Sequence, residues 1–411
     1  MKEFQPDDIV KSCIYMETGV WFNIRGIGCC CLGVYASPEI ITAEEMNSGN
    51  VTYDLVVQRR KELFEAVNGL RDQYTRSCKN CISLVEKKYK DVNFEYLGGS
   101  RLPSSFNIQH YSYCNLRCNY CSYTKDNTFF KSKYNIIDYL ELFREKGKLL
   151  GNNWIDFNGG EPSLLENFDE ILSYLIDNNL GTIALYSNSV KYSEKIFQAL
   201  KDNKILLSTS VDAGTVSTYK NIHGANVYTR VVDNLIKYKS SGTNHLDIKY
   251  IITDENMNDD DLYGFLFLIA AIRPNSITIS INFFYGETEV DIKYAEFSAK
   301  LYCLILKYTG IIPILFSENS PGDPKYVKFS KDIRNEINKF IKKYGDSQDY
   351  NLIRIHNTII PEQNINVQNE LYNCKDKLSK IEENINKLAW WIPIRKWRDN
   401  FRNKMLNNNR S

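Results

Sequence analysis

The sequence predicts an α/β fold built on a parallel sheet with crossover helices. Between residues 104 and 320, short runs rich in β-branched and aromatic residues alternate with longer amphipathic stretches, which is the pattern of strand–helix units. The candidate functional motifs follow directly on four of those runs, at the carboxyl ends of strands, where the loops of such a sheet converge. The chain has 411 residues, 43% of them hydrophobic and 25% charged, enough to bury a substantial core.

Taken in order, the strands are read at SFNIQHYS (105–112), WIDFN (154–158), TIALYSN (182–188), ILLSTSVD (205–212), LDIKYIIT (246–253) and SITISINFF (276–284). Helices are expected near 135–147, 166–179, 191–202, 227–240, 259–272 and 289–308. With 51 basic and 50 acidic residues the formal charge is +1, so no overall field attracts nucleic acid. No apolar run approaches the roughly twenty residues that span a bilayer. Eleven Cys do not make an even disulfide framework, and no secretory leader opens the sequence; the thiols are read as reduced and cytoplasmic.

After the first strand comes CNLRCNYC, with Cys114, Cys118 and Cys121 at C-x3-C-x2-C spacing. A tetrahedral zinc site takes four protein ligands, and three clustered thiolates leave one coordination position unfilled. A cubane iron–sulfur cluster on three Cys keeps one iron open to a small molecule. The competing reading is a structural zinc knuckle that borrows its fourth ligand elsewhere. After the second strand comes Gly159-Gly160-Glu161-Pro162. Its glycines allow close backbone approach and its Pro fixes the exit of the chain.

These two motifs, some forty residues apart with one helix and one strand between, resemble the radical S-adenosylmethionine (SAM) superfamily, whose cluster loop has an aromatic residue before the last Cys, here Tyr120. The resemblance implies a partial (β/α)6 TIM-type barrel, which the six strand–helix units fit. It also implies a 4Fe-4S cluster on Cys114, Cys118 and Cys121, with SAM bound along Gly159, Gly160, Glu161 and Pro162. Asn188, Ser210 and Asp212, ending the third and fourth strands, and Arg230 on the next helix match the SAM-contacting positions. A guanidinium suits a carboxylate through two parallel hydrogen bonds, although Arg230 reads equally well as a solvated helix face. The implied reaction is reductive cleavage of SAM to a 5'-deoxyadenosyl radical that abstracts hydrogen from a substrate. Its implied electron donor is a protein such as flavodoxin or ferredoxin.

Residues 1–100 are expected to form a separate Cys-rich module. Cys29, Cys30 and Cys31 make one group and Cys78 and Cys81 another, with Cys13 apart. A helix over residues 54–77, with Leu55, Leu63, Val67 and Leu70 near a 3.6 period, would deliver the second group to the first. The order of Gly, Cys, Gly-Asn, an Arg-containing helix and C-x2-C resembles SPASM or twitch modules. It implies a second iron–sulfur cluster, with a structural zinc site and unligated buried Cys as alternatives.

Residues 321–411 form a C-terminal extension. Its segment 387–410 carries seven basic residues against Asp399 alone and three of the five Trp, a composition suited to an anionic membrane surface or to docking on the barrel. This segment resembles the C-terminal parts of some surface-polysaccharide biosynthesis proteins. The substrate is accordingly expected to be a peptide or a sugar or glycan precursor, and the protein cytoplasmic with peripheral contact at the inner membrane face. The competing reading of the whole is a non-catalytic protein that binds zinc or iron–sulfur structurally.

Overall fold

The computed structural model of the chain describes residues 4–31, 37–71, 78, 81, 83–92, 103–146, 148–149, 151–282, 289–319 and 324–344. The basic Trp-rich segment 387–410 lies outside the described residues.

Twelve strands occur among them: β1 (Ile9–Ser12), β2 (Gly19–Asn23), β3 (Gly26–Gly28), β4 (Ile41–Thr42), β5 (Val85–Lys88), β6 (Ser105–Gln109), β7 (Trp154–Phe157), β8 (Thr182–Tyr186), β9 (Ile205–Ser210), β10 (Leu246–Ile252), β11 (Ser276–Ile281) and β12 (Ile314–Leu315). Strands β6 to β11 pair in sequence order, all parallel, and β12 adds to β11 in the same sense. These six are the strands expected from the sequence, joined as a mixed α/β fold on a parallel sheet.

Helices flank the strands: α1 (Ile14–Thr18), α2 (Ala43–Asn47), α3 (Tyr53–Val67), α4 (Ser122–Lys125), α5 (Ile136–Glu145), α6 (Phe168–Asp177), α7 (Glu194–Lys201), α8 (Val216–His223), α9 (Tyr228–Lys239), α10 (Asp259–Ile272), α11 (Ile292–Thr309) and α12 (Pro324–Tyr344). Their starts are set by short polar side chains. Asn135, Ser193, Thr215 and Asn258 each accept an N–H of the first turn, which satisfies donors that the helix cannot. Gly224 and Gly310 end α8 and α11 in the left-handed conformation, the usual stop for a helix.

Period-2 alternation divides the sheet into two chemistries. Phe106, Ile108, Ile155, Phe157, Ile183, Leu185 and Leu207 are buried on the face toward the helices, each contributing roughly 1.5–3 kcal/mol of transfer free energy. The residues between them, Asn107, Asp156, Ser208, Asp247, Lys249 and Thr278, occupy the other face in register. This second face carries charged and hydroxyl side chains, some of them bonded to one another, Ser208 and Thr278 both donating to Asp247, where the helix-facing one is apolar.

The N-terminal segment differs from the expectation of a unit standing apart. Its β2 pairs in parallel with β6, Trp21 opposite Asn107, and β3 and β4 follow antiparallel, so the same sheet runs to ten strands. Trp21 Nε1 donates to Gln109 Oε1 at 2.7 Å across that junction. The helix expected over 54–77 stops at Val67. Asn68 turns its amide to Lys11 O and Phe64 O, and Gly69 takes φ +77°, where a helix cannot continue. At the other end, α12 fills a stretch for which the sequence suggested no element. Its Tyr326, Phe329, Ile333, Ile337 and Ile341 are buried at helical spacing.

Candidate functional site

The loop after β6 is held from both sides. Arg117 N–H donates to His223 O at 3.0 Å and Asn119 N–H to Ile222 O at 2.9 Å, which hangs the loop on the end of α8. Arg117 also donates to Cys114 O at 2.8 Å and lies 3.8 Å over the Phe129 ring. Cys118, Cys121 and Tyr120 are fixed by the following turn, in which Cys121 N–H donates to Cys118 O.

The Gly159–Pro162 turn lies directly against the approach to this loop. Gly160 N–H donates to Tyr111 O and Glu161 N–H to Tyr113 O. A Cβ on Gly160 would stand 2.1 Å from Tyr113 O, and Gly159 sits at φ +118°. Both glycines are therefore required by contact with the backbone that leads into Cys114. Pro162 opens a single 3-10 turn.

Glu161 is turned inward, 1% exposed. Its carboxylate accepts Ser163 Oγ at 2.6 Å, Ser187 Oγ at 2.8 Å and Asn188 N–H at 2.7 Å. Burial pushes its carboxyl up from the usual range, and these hydrogen bonds oppose the shift. The residue thus works as a buttress that joins the second and third strand ends. Asn188, fixed by it, donates from Nδ2 to Asn115 Oδ1 at 2.8 Å and toward Cys114 Sγ at 3.6 Å.

Asp212 performs the corresponding task at the fourth strand. It adopts φ +56° and is fully buried. It accepts Tyr120 O–H at 2.6 Å and Ile251 N–H at 2.6 Å. Burial raises its carboxyl, while the His223 ring beside it, 3.6 Å away, pulls it down. His223 was not singled out from the sequence, yet its Nδ1 lies 3.1 Å from Cys118 Sγ. Its Nε2 donates to Val211 O at 3.0 Å, which leaves Nδ1 as acceptor for the metal-free thiol. No local spacing signalled this; α8 brings the ring over 105 residues.

Burial pushes the Cys114 thiol up to about 11 and the Cys118 thiol higher still. Thiols in such surroundings become thiolates when a bound cation supplies the charge. Three thiols on one loop, with N–H groups of Leu116 and Asn188 aimed at Cys114 Sγ, fit an iron–sulfur cluster whose sulfurs take outer hydrogen bonds. Among the described residues no three His, Cys, Asp or Glu side chains meet at a single-ion point; in a cubane the three thiolates bind different irons.

Two expected SAM contacts stand apart from this network. Arg230 is exposed on α9, because its position falls on the outward face of an amphipathic helix. Ser210 ends β9 opposite Lys249 in the register. Of the N-terminal thiols, Cys29 and Cys78 are buried, Cys30 and Cys81 half-buried and Cys31 exposed.

Residues 108–266, which hold the three cysteines and the strands that carry them, match the family model described as "Radical SAM superfamily". Enzymes of that superfamily use a 4Fe-4S cluster and SAM. The chain is 26% identical over 283 residues to the GTP 3',8-cyclase of Clostridium botulinum strain Hall, covering 66% of this chain and 86% of that protein. The S-adenosylmethionine-dependent nucleotide dehydratase of Siniperca chuatsi is 27% identical over 192 residues, 45% of this chain and 53% of that one. Among solved structures, Streptococcus suis SuiB bound to precursor peptide SuiA aligns with a TM-score of 0.42 and 13% identity, covering 52% of this chain and about half, 49%, of SuiB. Among the described residues no helix is long and apolar enough to cross a membrane.

Proposed function

We propose that Cys114, Cys118 and Cys121 hold the SAM-cleaving cluster and that the concave sheet face seats a polar, anionic small molecule, a nucleotide or a phosphorylated sugar precursor of a glycan. The observation that carries the first part is the loop itself, with hydrogen-bond partners from the third strand end and from α8 directed at two of its sulfurs. When bound, the cluster and SAM, with one electron from a donor such as flavodoxin or ferredoxin, supply methionine and a 5'-deoxyadenosyl radical that takes a hydrogen atom from the substrate. Glu161 and Asp212 hold the loop's neighbours in place, and the Gly159–Pro162 turn and Asn188 frame the side of the loop proposed to take SAM.

The substrate class rests on Lys249. It projects from β10, burial lowers its pKa against the pull of Asp212 and Asp247, and its Nζ lies 4.6 Å from the Phe316 ring centroid. Asp247 is already committed to Ser208, Ser276 and Thr278, so this ammonium makes no hydrogen bond among the described residues. A desolvated cation on a polar wall favours an anionic group, and the names of the relatives, which refer to GTP and to a nucleotide, agree with that. The peptide reading has no comparable observation behind it.

Cys29, Cys30, Cys31, Cys78 and Cys81 are proposed as the thiols from which a second iron–sulfur cluster draws its ligands. The 387–410 segment is proposed to contact anionic membrane surfaces, which cosedimentation with anionic against neutral vesicles tests.

The central test is substitution of the loop. Cys114→Ala, Cys118→Ala and Cys121→Ala should each abolish 5'-deoxyadenosine formation and lower bound iron. A variant that keeps its iron and still forms the product, or a colourless wild-type protein holding only zinc, would overturn the reading. For the substrate, nucleotides and sugar phosphates should stimulate SAM cleavage in the wild type and much less in Lys249→Met. Equal stimulation by uncharged nucleosides would refute the anionic assignment.

A further inference from the structure

Where β2 joins the strands of the barrel, the sheet face away from the helices carries a group of amides. Alternation puts Asn23 of β2, Asn107 and Gln109 of β6 and Asp156 of β7 on that face, with Asn158 one step beyond β7. The register sets Asn107 beside Asp156 and Asn23 beside Gln109, on three adjacent strands. Asn158 continues the second row, its N–H donating to Ile108 O at 3.0 Å.

Much of this polar surface is paired within the protein. Trp21 Nε1 donates to Gln109 Oε1 at 2.7 Å and Trp154 Nε1 to Asp156 Oδ1 at 3.0 Å. Asn107 Nδ2 donates to Cys31 Sγ at 3.3 Å, and Asn23 Oδ1 accepts Arg25 N–H at 2.7 Å. One donor and two acceptors are left over. Asn23 Nδ2, Asn107 Oδ1 and Asn158 Oδ1 are shielded from solvent with no hydrogen-bond partner among the described residues, and Asn23 as a whole is 3% exposed. Buried polar groups are almost always paired, so three orphans on neighbouring strands of one face call for a ligand that pairs them.

The same face offers flat apolar surface. Trp154, two residues before Asp156, and Tyr186, two residues after its register partner Ala184, are both exposed large aromatics. A ring laid against an aromatic side chain, with its edge meeting fixed amides, is how proteins read a nucleobase. A sugar hydroxyl is donor and acceptor at once and needs no such fixed set.

We propose that these amides form the subsite for the base of a nucleotide, Asn107 Oδ1 and the Asp156 carboxylate accepting its N–H groups and Asn23 Nδ2 donating to a ring carbonyl or nitrogen. Strand β2 of the N-terminal segment is then part of the substrate site. The inference rests on the anionic-substrate reading and chooses the nucleotide over the sugar phosphate. Lys249, on the same face three strands further along, takes the phosphate end.

The test is isothermal titration calorimetry on the anaerobically reconstituted protein with SAM present. The titrants are ATP, GTP, CTP, UTP, inorganic tripolyphosphate and glucose 1-phosphate. The wild type is expected to bind at least one nucleoside triphosphate about tenfold tighter than tripolyphosphate and to separate the bases by a similar factor. Asn107→Leu, similar in size but without the orphan oxygen, should bring the bases to within about twofold of one another while tripolyphosphate binds as before. Lys249→Met should weaken every titrant. Melting curves establish that each variant is folded; should Asn107→Leu not be, Asn23→Asp, which keeps the acceptor for Arg25 N–H and removes the donor, is read by the same criterion. Equal binding of all bases by the wild type, base discrimination that survives the substitution, or glucose 1-phosphate bound more tightly than every nucleotide would overturn the base subsite. If no titrant binds, tripolyphosphate included, the anionic-substrate reading itself fails.

Discussion

Glu161 shows how a single buried charge organises the site. Its two oxygens meet only donors, from Ser163, Ser187 and Asn188. In Glu161→Gln an amide N–H2 would have to face at least one of them. Leaving a buried donor unmatched costs about 1–3 kcal/mol. The expected outcome is a lower melting temperature and weaker SAM binding by calorimetry, with cluster iron retained, since the thiols themselves are untouched. Unchanged SAM affinity would remove Glu161 from the role of positioning Asn188. The cluster residues were legible because three Cys within eight residues carry their own message. His223 was not, because it gains its meaning from Cys118, which the fold brings to it from far along the chain.

Among the elements, the turn at Gly159–Pro162 and the stretch 111–113 behave as one piece. Gly160→Ala would force a methyl against Tyr113 O, a backbone atom that cannot rotate away. Either the turn or the cysteine loop has to shift. We expect Gly160→Ala to reduce both 5'-deoxyadenosine yield and reconstituted iron, while Gly242→Ala, at a position with open space, loses only backbone stability through its φ of +83°. Wild-type iron content in Gly160→Ala would show that the two segments are not coupled. The barrel strands were readable from alternation and β-branched content. Strands β2 to β4 were not, being two to five residues long, with glycine in β2 and β3. Helix α12 is preceded by Pro321 and Gly322 and opens at Pro324, residues that signal a break more strongly than a helix start.

For the whole molecule, the shared sheet decides what can be removed. Deleting residues 1–100 would uncover the edge of β6, whose N–H and C=O groups now pair with β2, and would strip cover from Phe143, which packs edge-on against both Phe22 and Phe106. An open, apolar parallel edge invites association. The truncated chain should therefore be insoluble or oligomeric by size exclusion. A monomeric truncation that still takes up iron on Cys114, Cys118 and Cys121 would mean that the barrel folds alone.

The same pairing bears on how the chain is made. Gly19 leaves the ribosome 86 residues before Ser105, its partner in the sheet, and non-local parallel pairing is slow to close. During that interval Trp21 and Phe22 have only the short antiparallel β3 beside them. The thiols at 13, 29, 30, 78 and 81 have all been synthesised by then, while β6, against which β2 lies in the finished sheet, is still to come. The native arrangement around the N-terminal thiols is thus completed with closure of the sheet rather than with completion of their own segment.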